Sequence, residues 1–429
     1  MTPPDDDQRP SPRSGDGFKA AEALVTGMFL GPLTVALVVL VLSNTGLEWT
    51  WEYWGRSDGT FDRSAIFRNF GLLALALIAF PLAVWRSWTA HQQARSSNRQ
   101  TELAEKGLII DRYQKGAQML ESKDLSVRLA GIYALRELVW SDPNESYLLV
   151  LDLLFDFVRE RSKERTPDLN ALTSEANELR YGPFPSDLQK AIETASSLRT
   201  GIPNAEHLEK EKNWLPDLRA AVLTDLILDD ANMAGAILTD ANLSFGHFVD
   251  ADFSGADLTR ANLNLALLES AILSKANLEE AMLMRTDLVN ADLAGCDLLG
   301  ANFTEANLMQ ANLQKALCFN TIFNRAILES VNLNKSFCFS AIFTDAVLTN
   351  AKLESAYFVN AEFFCSNLSA ANLTNANLSD ADLSGAVLAD AILIKTNLSG
   401  TILDDVELTD VDFSSAVFAD QPEGGGSHL

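Results

Sequence analysis

The residue types that most often carry out chemistry are few and scattered in this chain. The four histidines are far apart in the sequence: His91, His207, His247 and His428. None of them lies near any of the four cysteines, which are Cys296, Cys318, Cys338 and Cys365. A metal site needs His or Cys ligands at short spacing, and a catalytic cysteine needs a histidine partner. Because phosphate-binding glycine loops are also missing, the sequence predicts a non-enzyme without cofactor or metal.

Aspartate and asparagine recur at a fixed spacing in the second half of the chain, as in Asp252, Asn262 and Asp292. Carboxylate and amide oxygens are the ligands that Ca²⁺ prefers, so this array could suggest a row of cation sites. Calcium sites, however, gather such residues in one short loop, and no clustered Gly-Asp loop is present here. We therefore interpret these residues as solvated corner positions between buried ones.

The elements that position these residues follow a period of five. Every fifth residue from Leu218 to Phe418 is Leu, Phe, Met or Cys, and the residue two positions earlier is nearly always small, as at Ala221 and Ala231. Helices repeat every 3.6 residues and strands every two, so neither keeps one residue in five inward. A coil that turns a corner every five residues does so. Four sides of five residues close one coil, which stacks on the next at about 4.8 Å.

The five-residue units carry a recognisable pattern, Ala-(Asp/Asn)-Leu-X-X. It is clear in these segments: Ala241-Asn242-Leu243, Ala261-Asn262-Leu263, Ala301-Asn302-Phe303 and Ala381-Asp382-Leu383. In these residues the chain resembles the pentapeptide-repeat family over nearly half its length. The resemblance implies a β-solenoid over residues 216–420, in the form of a right-handed quadrilateral β-helix of about ten coils.

The interior of this solenoid is predicted to contain a ladder of aromatic rings. At a spacing of twenty residues one face stacks four phenylalanines: Phe303, Phe323, Phe343 and Phe363. In two of these coils the preceding central residue is Cys318 or Cys338, which compensates in volume for the ring beside it. We interpret both cysteines as buried filler. A disulfide between them is the alternative, which a reducing cytoplasm disfavours.

The amino-terminal region predicts a membrane anchor. Residues 1–17 have the composition of a disordered tail. Residues 18–90 are predicted to form a transmembrane hairpin with helices at about 23–42 and 66–88, the first of which carries Gly27 and Gly31 at a spacing that permits close helix packing. No cleavage site follows the first helix, which argues against a signal peptide. Positive residues outside both helices predict a multi-pass protein of a bacterial inner (cytoplasmic) membrane, with the remainder in the cytoplasm.

The segment between hairpin and repeats is predicted to be helical. Residues 91–215 form a stalk and a small module whose segments Arg112–Ala117 and Val127–Leu135 resemble HEAT-like helices, with loops at 163–185 and 200–214. Such a module would cap the first coil, which otherwise exposes an unpaired edge. Residues 421–429 are predicted to be a flexible tail.

Charge narrows the class of partner. The chain has a net charge of −25, and residues 216–420 contain 28 Asp and Glu against 9 Lys and Arg, a net charge of −19. This acidity disfavours direct binding of nucleic acid or anionic lipid and favours protein partners, basic ones among them. Self-association into a homo-oligomer remains open.

Three functions are consistent with these features. The first is a membrane-tethered, non-enzymatic scaffold that presents a rigid acidic β-helix for protein–protein interaction. The second is an oligomeric two-helix membrane effector or pore, in which the solenoid acts as a sensor or assembly arm. The third follows from the resemblance to pentapeptide-repeat proteins of the quinolone-resistance type, and is a DNA-mimicking modulator of an enzyme such as gyrase.

Overall fold

The computed structural model describes residues 63–167 and 181–418, except 412 and 414. The predicted tails at 1–17 and 421–429 and the predicted first membrane helix, with Gly27 and Gly31, lie outside these residues. The chain divides into two compact units, Met1–Lys106 and Gly107–Leu429.

The first described element corrects the prediction of a membrane hairpin. Helix α1 covers Arg63–Leu120, so the apolar run at 66–88 is only one part of a helix of 58 residues. Within the described residues, no helix combines the length and the apolar character that a membrane span requires. The uninterrupted apolar stretch, Phe70–Trp85, is shorter than the roughly 20 residues needed to cross the hydrocarbon core. The predicted second membrane helix and the inner-membrane localisation are therefore wrong.

Four further helices precede the repeats. They are α2 (Leu125–Ser141), α3 (Pro143–Ser162), α4 (Ser186–Gly201) and α5 (Ala205–Lys212). Asp124 caps α2 and Asp142 caps α3, in each case by accepting a backbone N–H of the first turn. Helix α5 lies within residues 200–214, for which the sequence predicts a loop. Its eight residues are mostly charged and show little apolar pattern, so they give no helical signal. A helical module is present, and its likeness to HEAT helices stays a prediction.

The repeats form a β-solenoid with twenty residues in each coil. Parallel bridges join residues twenty apart, from Asp217 with Ile237 to Asn397 with Val417. Each coil has four sides of five residues. We call them the first to fourth sides, beginning at residues 216, 221, 226 and 231 of the first coil. The central residue of each side points inward and is buried along nearly the whole solenoid, so the predicted β-helix is confirmed.

The corners explain why the period is five. The last residue of each side has a positive φ, for example +57° at Asn350 and +56° at Ala370. A hydrogen bond closes the turn around it, as from the Ala351 amide to the Leu348 carbonyl at 3.1 Å. Glycine, asparagine and aspartate tolerate this left-handed conformation best, and they occupy many of these corners.

Replacing Asn350 with valine is expected to lower the free energy of unfolding by about 1–2 kcal/mol, because a β-branched side chain is strained in the left-handed region. The matched change Asn350→Gly should alter it by a few tenths of a kcal/mol at most, since glycine adopts this φ freely. Urea unfolding followed by circular dichroism measures both values. Equal stability of the valine and glycine variants would contradict this account of the corners.

The aspartates and asparagines that directly precede a central residue, such as Asp252 and Asn302, lie in the middle of the sides and not at the corners as predicted. Their side chains accept the backbone N–H two residues later, as Asp252 does from Ser254 at 2.8 Å and Asn302 from Thr304 at 2.9 Å. Asn312 also donates to Asp292 in the neighbouring coil at 2.8 Å. These oxygens are therefore engaged in holding the backbone.

The helical module covers the first coil with side chains that replace the missing coil below it. Elsewhere the amide before each central residue donates to a carbonyl of the preceding coil, as Asn242 does to Ala221 at 2.9 Å. In the first coil three such amides instead donate to side chains of the module at 2.9–3.2 Å, with these pairs: Val222 to Ser162, Ile227 to Gln189 and Asn232 to Ser196. The edge of the solenoid is thus satisfied where it meets the helices.

A buried ion pair secures this junction. Arg199 donates from Nε and Nη2 to the two carboxylate oxygens of Glu209, both at 2.9 Å, and Tyr147 donates to the same carboxylate at 2.6 Å. The Arg199 guanidinium also donates to the Asn232 carbonyl at 3.0 Å and the Ala234 carbonyl at 2.9 Å. Burial, and then the hydrogen bond to Glu209, raise the pKa of Tyr147 well above its usual range. The hydroxyl therefore remains a donor at every physiological pH.

Candidate interaction surface

The predicted aromatic ladder lies wholly inside the solenoid. Four rings, those of Phe303, Phe323, Phe343 and Phe363, are fully buried on the second side. Neighbouring rings stack in parallel, with centroids 5.2, 4.9 and 4.7 Å apart along the series. These residues fill the core, so any recognition of a partner belongs to outward side chains.

The cysteines of the core are likewise enclosed. Cys296, Cys318 and Cys338 are buried and free, whereas Cys365 is free and exposed at a corner. The Cys296 thiol donates to the Leu273 carbonyl at 2.8 Å, and burial raises the pKa of this thiol to about 12. The pKa of the Cys318 thiol is also raised, first by the hydrogen bond between Cys318 and Cys338 and then by burial.

In the folded chain at pH 8, iodoacetamide is expected to modify Cys365 and to leave the three buried cysteines intact. A thiol reacts as its thiolate, and at pH 8 a group with a pKa of about 12, such as Cys296, is almost wholly protonated. Peptide mass spectrometry reports the modified positions. The variant Cys365→Ser should take up no label until it is denatured, and rapid labelling of Cys296 in the folded protein would contradict the prediction.

Outward positions on the first side form an exposed apolar patch across three successive coils. We call it the aromatic patch, and its members are Leu317, Phe319, Phe337, Phe339, Tyr357 and Val359. Phe337 is 37% exposed and Tyr357 is 41% exposed, so over a third of each reaches solvent. The sequence interpretation missed this patch because it followed only the central residues. Reading the outward residues at intervals of twenty would have found it.

The rings of the aromatic patch are nearly parallel. Phe319 and Phe339 have centroids 5.2 Å apart and an interplanar angle of 6°, and Phe337 and Tyr357 are 5.1 Å apart at 3°. Phe337 and Phe339, on the same side of one coil, are 6.4 Å apart at 9°. This is an offset stack along the solenoid axis. One face of each ring is thus turned to a neighbouring ring, and a stack that runs along the axis directs the ring rims to solvent.

Two lysines border the aromatic patch. Lys315 and Lys335 occupy the corner at which the first side begins, each two residues before a patch residue, and both are exposed. Among the described residues, neither takes part in an ion pair. The opposite corner of the patch has only uncharged residues, which are Asn320, Ser340 and Asn360. The ammonium groups are therefore available to a ligand at one margin of the patch.

Charge is unevenly distributed along the solenoid. Residues 311–360, which we call the central belt, contain four basic residues (Lys315, Arg325, Lys335 and Lys352) and three acidic ones (Glu329, Asp345 and Glu354). The net charge of the belt is +1, whereas that of residues 216–420 is −19. The aromatic patch thus lies in a stretch of the repeats where positive charge balances negative charge.

Three surface arginines of the solenoid already have acidic partners. On the corner that ends the second side, Glu305 lies between Arg285 and Arg325, with N–O distances of 2.6 and 2.5 Å. The hydrogen bond from Arg285, together with both positive charges, lowers the pKa of Glu305. Arg260 pairs in the same way with Asp240 at 2.7 Å across one coil. Such ladders link successive coils and differ from the two lysines beside the patch.

Metal binding is not supported by the geometry. In the part of the chain that the structure describes, no group of three or more His, Cys, Asp or Glu side chains could hold a metal ion. His207 lies on helix α5 and His247 on the third side of the solenoid, so the fold does not bring them together.

Comparison with known proteins identifies the repeats. The pentapeptide-repeat family model matches eight copies, over residues 217–255, 251–288, 286–316, 341–380 and 381–419. The match leaves out residues 317–340, which contain most of the aromatic patch. No curated protein matched the chain.

Solved structures of repeat proteins align with this half of the chain. One of them is HetL, a pentapeptide repeat protein involved in heterocyst differentiation regulation from the cyanobacterium Nostoc sp. strain PCC 7120. HetL is 30% identical to this chain with a TM-score of 0.41, and the alignment covers 51% of this chain and 98% of HetL. Full-length QnrB1, a plasmid-mediated fluoroquinolone resistance protein, is 20% identical over 45% of this chain and 92% of its own, with a TM-score of 0.32. With eight repeat copies matched over 217–316 and 341–419, and 30% identity to HetL over 98% of its length, this chain belongs to the pentapeptide-repeat family.

Proposed function

We propose that this chain is a non-enzymatic scaffold whose solenoid binds a protein partner through its outward side chains. The observation that carries the proposal is the exposed aromatic patch on an otherwise acidic solenoid with a filled core. Large exposed apolar patches on folded proteins usually mark interaction sites. The helical module supports this role by holding the first coil in a fixed arrangement, and tethering to a membrane is not part of the proposal.

A photo-crosslinking residue placed on each side of the same two coils tests the scaffold. Suitable outward positions are Val359 on the first side, Ile342 on the second, Val347 on the third and Lys352 on the fourth. We expect one protein partner to be crosslinked from one side in the native cells, and little from the other three. If no protein is crosslinked from any side, the scaffold function is wrong.

A second candidate is DNA mimicry, which the net charge of −19 over residues 216–420 favours. A mimic of duplex DNA presents regularly spaced negative charge, and the nearly neutral central belt interrupts that spacing. Gyrase supercoiling in the presence of the purified chain tests the idea. Unchanged supercoiling at a large molar excess of the chain would exclude DNA mimicry of the gyrase substrate as the function.

A further inference from the structure

The aromatic patch and its two lysines form a surface with a distinct chemistry. We propose that they bind a short acidic amphipathic helix of a partner protein, with apolar side chains on the rings and carboxylates on Lys315 and Lys335. This inference rests on the proposed scaffold function and adds the location of the site and the chemistry of its ligand.

The orientation of the rings decides between classes of ligand. Nucleic acid bases and sugars bind aromatic residues by stacking on open ring faces. Here Phe337 and Tyr357 lie nearly parallel one coil apart, as do Phe319 and Phe339, so one face of each ring is turned to its neighbour and not to solvent. The exposed rims carry the positive part of the ring quadrupole. They suit aliphatic side chains and carboxylates better than they suit another aromatic face.

Electrostatics favours an acidic ligand of limited length. Lys315 and Lys335 lack an ion-pair partner among the described residues, and the central belt has a net charge of +1. The rest of the solenoid is strongly negative, so a long anion such as a nucleic acid strand would be repelled beyond the belt. A short acidic segment can remain within it.

The spacing of the lysines matches the period of a helix. Lys315 and Lys335 are equivalent residues of adjacent coils, so their backbones are about 4.8 Å apart. On a helix, side chains at positions i and i+4 are about 5–6 Å apart, so two such carboxylates can each meet one lysine. The patch spans three coils, or roughly 10 Å, which corresponds to about two helical turns. An adjoining apolar face of that helix would cover the rings.

The part of the chain that departs from the repeat pattern supports the same surface. The family match omits residues 317–340, and these contain Leu317, Phe319, Phe337 and Phe339. Outward positions elsewhere on the first side are mostly polar, such as Asp257, Asn277 and Asn377. Solubility of the solenoid does not require four partly exposed rings together, so we attribute them to binding.

A labelled peptide binding to the full chain tests the inference. The probe is an 18-residue helical peptide with glutamates at i and i+4 along one edge and leucines on the adjoining face. Fluorescence anisotropy measures its affinity. We expect K315E/K335E and F337S/F339S each to weaken binding at least tenfold, and 0.5 M salt to weaken binding to the unchanged chain. A peptide with lysine in place of glutamate should bind at least tenfold more weakly.

Matched variants elsewhere on the solenoid serve as controls. K275E/K395E reverses two lysines at the same corner outside the patch, and I392S/I394S removes two exposed residues at equivalent positions of the fourth side. Both should bind the peptide within twofold of the unchanged chain. The lysine changes at 315 and 335 leave the packing of the rings intact, so a loss of binding in K315E/K335E cannot be ascribed to misfolding.

Each contrary outcome has a definite meaning. Absence of binding to the unchanged chain, or equal losses in patch and control variants, overturns the inference. If the chain without peptide is a dimer that dissociates in the patch variants, the surface binds a second copy. If oligo-dT binds and the patch variants abolish that binding, the surface binds nucleic acid. Either result overturns the inference. If a partner is crosslinked only from another side, the aromatic patch is not the binding site, but the proposed scaffold function remains supported.

Discussion

Replacing Arg199 with leucine is expected to destabilise the capped end of the solenoid by about 3–5 kcal/mol, the cost of leaving one charge of a buried ion pair without its partner. Glu209 would stay buried with no cation, and the Asn232 and Ala234 carbonyls would lose their donors. Denaturant unfolding and amide hydrogen exchange measure the global and local effects. The Asn232 amide, held by Ser196, should lose protection first.

Two further variants separate the ion pair from general damage to the module. Arg199→Leu/Glu209→Leu should recover part of the lost stability, because no unpaired charge then remains in the interior. Lys210→Leu breaks an exposed pair with Glu206 and should have no measurable effect. Unchanged protection of Asn232 in the Arg199 variant would show that the ion pair does not hold the junction.

Replacing Phe343 with alanine is expected to lower the free energy of unfolding by about 3–5 kcal/mol, because it leaves a cavity in a packed core. Phe343 is fully buried between Phe323 and Phe363, with ring centroids 4.9 and 4.7 Å away, and Phe358 meets its edge at 5.8 Å. Each coil contacts only its neighbours, so the loss should be local. Hydrogen exchange should accelerate most in the coils that carry these rings.

The neighbouring Phe364 offers a matched control. It lies on the same side, one residue after Phe363, but is 48% exposed. Phe364→Ala should therefore change the free energy of unfolding by no more than about 0.5 kcal/mol. If the two alanine variants are equally stable, the buried ladder does not stabilise the solenoid as its geometry indicates.

The interior of the solenoid could be predicted from the sequence because one periodic rule governs it. A residue such as Leu298 points inward whatever its neighbours are, since the coil turns at every fifth position. The junction with the helices follows no period. Arg199 meets Asn232, which is 33 residues away, and Tyr147 meets Glu209, which is 62 residues away, and only the folded structure brings them together.

Two of the failures of prediction have different physical origins. Local hydropathy predicts a membrane span at 66–88, but these residues continue into the long polar part of helix α1. The aromatic patch was overlooked because Phe337 and Tyr357 are twenty residues apart in the sequence. They become neighbours only when one coil is placed upon the next.

The pairing of each residue with the one twenty positions later imposes two different rules on changes in chain length. Loss or gain of five residues would keep every central side chain inward, yet it would turn all later sides by a quarter of a circuit. Phe337 would then no longer stand above Tyr357 after a five-residue deletion between them. Only insertions and deletions of twenty residues preserve both core and surface. The solenoid can therefore change length in small steps without unfolding, but it can inherit a binding surface only in whole coils.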